Sequence, residues 1–338
     1  MLVPVSSMVN LDLNAALSER GKKTHGFLEV SRSSSGIPIG IPVTVATGAE
    51  NGPTLVVTAA VHGSEVIGTM ITSRFFKSLD PHGLKGTFIG IPVMNMSAFE
   101  AENRMSALDQ FNLGALFPGD PEGSISSRIA YAFWTQIARR ADCLVDLHGQ
   151  DHFWQPTSSV VMGKPQPEGN VPPAIYQKCL QVAKAFGVRH VWRTDHPRNI
   201  AEALINEKGI PAIRAEFGGV VDFRAIGKHV ALGVQGLTNV MKWMKMMEGN
   251  IVEPDFKTCV LDENAVFSSL GGLWSTEAEV GNKVDAQTLV GTITDPFTGD
   301  VLEEIRAPFS GIVTMLWASP LIKPAALALG IGKPVEYI

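Results

Sequence analysis

Three side chains of this sequence have the types and the spacing to hold one metal ion. His62 and Glu65 stand three residues apart in His62-Gly63-Ser64-Glu65, directly after the apolar run TLVVTAA and directly before a helical pattern that starts VIGTMITSRFF. Three residues around the first turn of a helix, or its lead-in, let both side chains face one point. His148, in Asp146-Leu147-His148-Gly149, closes a second apolar run, CLVDLH. Imidazole nitrogen and carboxylate oxygen are ordinary zinc ligands, and two histidines with one glutamate leave a coordination position open for water, which is what separates a catalytic zinc from a structural one. Asp146 lies two residues before His148, on the same face of a regular strand, where it could orient an imidazole. Glu216, in AIRAEFGGV, ends a third apolar run, where a carboxylate is costly to bury without a partner. Beside a metal it would be the general base that accepts a proton from water and passes it to a leaving amine. Without one, an ion pair with Arg214 or a solvated strand end accounts for it, just as capping or packing would account for His62 alone. The joint pattern points to a zinc-dependent hydrolase.

Such side chains need a scaffold that brings distant strand ends together. From about residue 40 to residue 247 short β-rich runs alternate with longer helical patterns, the signature of a parallel sheet flanked by helices. The runs at 54–60, 86–93, 143–148, 160–163, 189–194 and 212–218 read as strands. Those at 64–79, 124–141, 173–186, 199–208 and 227–247 read as helices. Parallel sheets gather their chemistry at the carboxyl ends of strands, where His62, His148 and Glu216 all fall. Composition changes near 248–255, and beyond it closely spaced strand patterns are divided by GG, GN, DPFTGD, PFSG and GK turn signals. The sequence thus predicts an α/β protein with an N-terminal extension or lead-in strand over 1–39, a hydrolase domain over 40–250 and a small all-β domain over 256–338.

With 338 residues, 45% of them hydrophobic, the chain can bury a sizeable core. A net charge of −5 and the lack of any long basic run argue against nucleic acid as a partner. No stretch approaches the roughly 18 apolar residues of a membrane span, and MLVPVSSMVNLDLNAALSER does not read as a signal peptide. Cys143, Cys179 and Cys259 are odd in number and far apart, which speaks against a disulfide framework or a cysteine zinc site and for buried apolar roles. These features predict a cytoplasmic protein that meets neither nucleic acid nor membrane, with homo-oligomerisation left open.

The ordered set HGSE, Asn95, Arg104, FPG at 117–119, DLHG at 146–149 and EFGG at 216–219 resembles the succinylglutamate desuccinylase/aspartoacylase family of the zinc carboxypeptidase superfamily. The resemblance covers about residues 40–338. It implies a three-layer α/β/α zinc-hydrolase domain with a mostly parallel sheet, one zinc per chain, and hydrolysis of a small N-acylated amino acid or amine. By position, His62, Glu65 and His148 match the family's zinc ligands, Glu216 its base, and Arg104 the arginine that polarises the scissile carbonyl; Asn95 matches an asparagine of structural character. The C-terminal region resembles the family's appended barrel-sandwich-like domain, and without a lysine in the DPFTGD hairpin it reads as a wall of the cleft rather than a carrier of biotin or lipoate. One departure stands out. Where the family has an Asn-Arg pair ahead of FPG that grips a substrate carboxylate, gapless alignment places Gly114 and Ala115. Either Arg193, Arg198 or Arg214 replaces that clamp, or the substrate has no carboxylate there. A metallocarboxypeptidase and a non-catalytic zinc-binding protein are the rival readings.

Overall fold

The computed structural model describes residues 9–149, 154–156, 158–195, 199–218 and 225–338. A short helix, α1 (Leu13–Ser18), leads into an antiparallel hairpin of β1 (Lys22–Arg32) and β2 (Pro38–Thr47). There follow β3 (Glu50–Ala59), α2 (Val66–Ser78), β4 (Lys85–Ile91), α3 (Met96–Glu100), α4 (Ile125–Gln136) and β5 (Cys143–Gly149). Next come β6 (Trp154–Pro156), β7 (Ser159–Gly163), α5 (Pro173–Phe186), β8 (His190–Thr194), α6 (Ile200–Lys208), β9 (Ala212–Phe217) and α7 (Ile226–Trp243). Each apolar run and each helical pattern singled out above carries an element of the expected type. The weakly patterned start does more than expected, because β2 pairs with β4 and so adds the whole hairpin to the sheet.

Strand order in this half is β1-β2-β4-β3-β5-β9-β7-β8. Pairing is parallel from β4 through β3 and β5 to β9, turns antiparallel between β9 and β7, and is parallel again between β7 and β8. Leu55, Val56, Val57, Leu144, Val145 and Leu147 are fully buried, as strands covered on both faces must be. Helices α2, α5 and α7 pack together, while α6 lies against β5 and β9 and α4 against β1 and β2. None of the described helices is long and apolar enough to cross a membrane. All three cysteines are free and buried.

The C-terminal strands divide between two sheets. β10 (Cys259–Phe267) pairs parallel with β8 and carries the main sheet onward. A second sheet begins with β11 (Gly272–Thr276); then come β12 (Lys283–Val284), β13 (Leu289–Thr294), β14 (Val301–Arg306), β15 (Gly311–Trp317), β16 (Leu321–Ile322) and β17 (Leu327–Tyr337). β17, β15 and β12 extend the main sheet beyond β10, while β14-β13-β11-β16 form the separate one. Trp274, Ile293, Ile305, Val313, Leu316 and Ile331 fill a second core. Two expectations change here. The described strands close no barrel, and parallel pairing is confined to the middle of a mixed sheet. Turn spacing predicts that strands exist, whereas the choice between a new sheet and the free edge of β8 depends on tertiary contacts that no local pattern carries.

The junction is fastened by charge. Arg193 of β8 donates from Nε and Nη2 to the two carboxylate oxygens of Asp262 on β10, at 2.7 and 2.9 Å, and the two residues are register partners. Paired forks of this kind are the stronger charge-assisted bonds. Arg193→Ala is expected to cost about 2 kcal/mol of unfolding free energy, since hydrogen bonds to charged groups each contribute about 1.5–3 kcal/mol. A urea midpoint unchanged in this variant would show that the pair does not fasten the two halves.

Candidate metal centre

The chain between β3 and α2 is shaped by close backbone contacts. Ala60 adopts φ 49°, a left-handed conformation unusual for a residue with a side chain, and the neighbouring carbonyls are pinned from the loop after β4. Met94 N–H donates to Ala59 O and Asn95 N–H to Ala60 O, at 2.8 and 3.0 Å. A Cβ on Gly63 would lie 2.0 Å from the Ala98 carbonyl carbon, so only glycine fits between His62 and Ser64. Glu65 sits at the N-cap position of α2 but makes no capping bond with its side chain. That frees its carboxylate to turn toward the histidines.

Both imidazoles present Nδ1 to Glu65. His62 Nδ1 lies 2.7 Å from Oε1 and His148 Nδ1 2.7 Å from Oε2, with all three residues at most 5% exposed. Each ring gives its Nε2 to another oxygen: His62 to Asn112 Oδ1 at 3.1 Å, His148 to Asp146 Oδ2 at 2.9 Å. Asp146, fully buried, is held in turn by the Thr58 hydroxyl at 2.6 Å. The contact expected from the two-residue spacing of Asp146 and His148 is therefore made. With Nε2–H donated outward in both rings, loss of any proton on Nδ1 would leave a lone pair in each ring facing a bound metal. Two imidazole nitrogens and a carboxylate thus converge, their ligand atoms all within 4.8 Å of one another, and such a set calls for positive charge at its centre, brought by protons or by a metal ion. The electrostatics agree. Burial pushes His148 toward its neutral form, but Asp146 and Glu65 outweigh it and hold the imidazolium well above the ordinary histidine range. Burial also raises the Glu65 carboxyl, yet His62 and His148 hold it far below the usual range. The three residues fit a metal ion.

Glu216 arrives from the adjacent strand, where it is the register partner of His148. It is 6% exposed, and Arg214 Nε lies 3.2 Å from its Oε1. Burial raises the Glu216 carboxyl above its ordinary value, with Arg214 as the strongest opposing charge. Arg104, from the loop after α3, brings Nη1 to 3.4 Å from Glu65 Oε1 while its side chain stays about half exposed. All five expected site residues thus share one neighbourhood. Asn95 caps α3 through Ala98 N–H at 3.2 Å, in keeping with a structural role. Of the cations considered for the missing clamp, Arg193 is turned to Asp262, Arg214 is paired with Glu216, and Arg198 lies outside the described residues, as does Gly219. Gly114 sits at the edge of the centre, where a Cβ would be 3.6 Å from His62 Nε2.

Two contributors escape sequence reasoning. Asn112 accepts from Gly114 N–H at 2.9 Å and holds His62; its signal is only that of an asparagine opening a turn. Glu263, on β10, accepts from the Thr314 hydroxyl at 3.1 Å and lies within the field of Arg214 and Glu216. Burial pushes it up to about 7, against the pull of Thr314 and Arg214. A carboxyl raised in the folded state binds more protons there than in the unfolded chain, so its stabilisation is full below the unfolded pKa and is lost as pH rises through about 7. Glu263→Gln is expected to flatten the decline in stability between about pH 5 and about pH 8. Parallel stability curves for the two proteins would contradict this.

A mixed α/β sheet with a His-Glu-His cluster and a buried glutamate at its strand ends defines the class of architecture. The chain belongs to the succinylglutamate desuccinylase/aspartoacylase family, whose catalytic domain matches residues 51–241, more than half of its length. It is 28% identical over 328 residues to N-alpha-acetyl-L-2,4-diaminobutyric acid deacetylase of Halomonas elongata, covering 92% of this chain and 89% of that one. Among solved structures, the succinylglutamate desuccinylase/aspartoacylase from Rhodobacter sphaeroides is similar with a TM-score of 0.85 and 25% identity, over 97% of this chain and 100% of that one. The product-bound ectoine utilization protein EutE from Ruegeria pomeroyi gives a TM-score of 0.84 at 25% identity, over 94% and 96%.

Proposed function

We propose that this protein is a zinc-dependent deacylase that hydrolyses the amide bond of a small N-acylated amino acid or amine, with N-acetylated diamino acids, the substrate type named for the Halomonas elongata relative, as the first candidates. The observation that carries the reading is the convergence of both Nδ1 atoms on Glu65 with Glu216 in register beside His148. His62, Glu65 and His148 would hold one zinc per chain. Bound there, zinc supplies Lewis acidity toward water and toward an amide carbonyl. Glu216 takes a proton from the water and hands it to the amine nitrogen as the carbon–nitrogen bond breaks and the new carbon–oxygen bond forms. Its raised pKa suits a group that must accept a proton and then release it. Arg214 orients this carboxylate through their ion pair. Arg104, a permanent cation at the rim, faces the oxyanion that develops on the carbonyl.

A carboxypeptidase would need an available cation for the terminal carboxylate of a peptide, and the pairing of Arg193 and Arg214 favours the deacylase reading. We take 40–250 as the hydrolase unit and 256–338 as a wall of its cleft, a role supported by the pairing of β6, the strand following β5, with β15. Three free, buried thiols suit the reducing cytoplasm.

One set of variants tests the assignment. His62→Ala, Glu65→Ala and His148→Ala are expected to lose most of their zinc by metal analysis, whereas Glu216→Gln keeps its zinc and its melting temperature but loses about a hundredfold or more in kcat on an N-acetylated amino acid. Full zinc content in the first three variants would remove the ligand set, and an unchanged kcat in the fourth would place the base elsewhere.

A further inference from the structure

We propose that the hollow beside Gly114 and Ala115 is a cation subsite in which Glu202 holds the ammonium group of a diamino-acid substrate while Asn199 donates to one of its oxygens. The proposal rests on the deacylase reading above and names the part of the substrate that the family's carboxylate clamp would otherwise read.

The hollow encloses about 350 Å³. Gly114, Ala115 and Phe117 line it from the loop before α4, and Asn199, Glu202 and Glu207 from α6. It adjoins the metal centre, since a Cβ on Gly114 would come within 3.6 Å of His62 Nε2. The absence of side chains at Gly114 and beyond Cβ at Ala115 leaves room there, and among the described residues that line the hollow none is a cation.

Two buried polar atoms on these lining residues, Glu202 Oε2 and Asn199 Nδ2, have no hydrogen-bond partner of good geometry, although the two side chains lie close enough to favour each other. Their residues are only 7% and 6% exposed. Local structure accounts for the other half of each group. Asn199 caps α6 by accepting Glu202 N–H on Oδ1 at 3.1 Å, which occupies its carbonyl oxygen and leaves its amide nitrogen over. Glu202 holds the third helical position, from which a glutamate ordinarily reaches back to the cap. Here its Oε1 accepts instead from Gly163 N–H at 2.9 Å, at the end of β7, and Oε2 is left over. Burial pushes this carboxyl up to about 7 although Arg214 and the nearby Asn199 amide favour its charged form. Leaving a buried acceptor and a buried donor unmet is costly, and native structures seldom do so without a reason. A ligand that carries N–H donors on a positive charge, together with a carboxylate or carbonyl oxygen, meets both atoms at once. A diamino acid is such a ligand. A substrate with only a carboxylate would face Glu202 and Glu207 and be repelled.

The test compares Nα-acetyl-2,4-diaminobutyrate with N-acetylnorvaline, which has a methyl group where the first has its ammonium, on the zinc-loaded protein and on Glu202→Gln. The glutamine keeps an acceptor for Gly163 and removes the charge. The unmodified protein is expected to prefer the diamino substrate at least tenfold in kcat/KM, and Glu202→Gln to lose most of that preference. Equal use of both substrates by the unmodified protein, or a preference that survives in Glu202→Gln, overturns the subsite. Should neither substrate be hydrolysed, the deacylase reading fails on its own account, and calorimetric titration with 2,4-diaminobutyrate and norvaline decides the subsite separately. Binding of the diamine by the unmodified protein and its loss in Glu202→Gln support it; equal binding of the two ligands overturns it.

Discussion

A carboxylate buried between two imidazoles sets the terms for the rest of this molecule. Glu65 lies 2.7 Å from Nδ1 of both His62 and His148, far from bulk water, and such a group is tolerable only where positive charge is present or supplied. Everything around it serves to fix where that charge goes. The left-handed Ala60 and the side-chain-free Gly63 bend the chain so that His62 and Glu65 meet before α2 begins. Thr58, Asp146 and Asn112 turn the outer nitrogens of the rings away. The parallel pairing of β3, β5 and β9 then supplies the spacing, because neighbouring strands lie about 4.8 Å apart and bring the proposed ligands and the proposed base side by side.

The same arrangement pushes the protonation of two nearby glutamates in opposite directions. Glu65, flanked by histidines, is held ionised; Glu216, with burial as its dominant influence, is raised. Groups whose environments push their protonation apart in this way suit different tasks, and the proposed division of metal ligand and proton carrier between Glu65 and Glu216 follows that pattern. The C-terminal strands take part in that division. β10 brings Glu263 into the field of Arg214 and Glu216, so a segment that reads as an appendage reaches the electrostatics of the centre.

Much of this was legible in the sequence because it is local. Strand runs ending in His62, His148 and Glu216, the three-residue step to Glu65 and the two-residue step from Asp146 are all spacing effects, which the backbone periods of helix and strand turn into geometry. What escaped is what depends on contacts between segments. The hairpin β1–β2 has little alternation to mark it, and β10 reads as the start of a new unit although it docks on β8. Asn112 carries no mark that separates a turn residue from one that also holds a histidine. Glu202 is the clearest case. Asn199 and Glu202 have the spacing of an ordinary helix start, and only the diversion of Oε1 to Gly163 shows that the carboxylate does something else.

The proposed hydrolysis requires that His62, Glu65 and His148 bind one zinc through imidazole nitrogen and carboxylate oxygen. Zinc K-edge X-ray absorption on the loaded protein measures this directly. Ligation by these three residues predicts a nitrogen and oxygen shell at about 2.0–2.1 Å with the outer scattering of two imidazole rings. A sulfur shell at about 2.3 Å, or an oxygen shell without imidazole scattering, would contradict it.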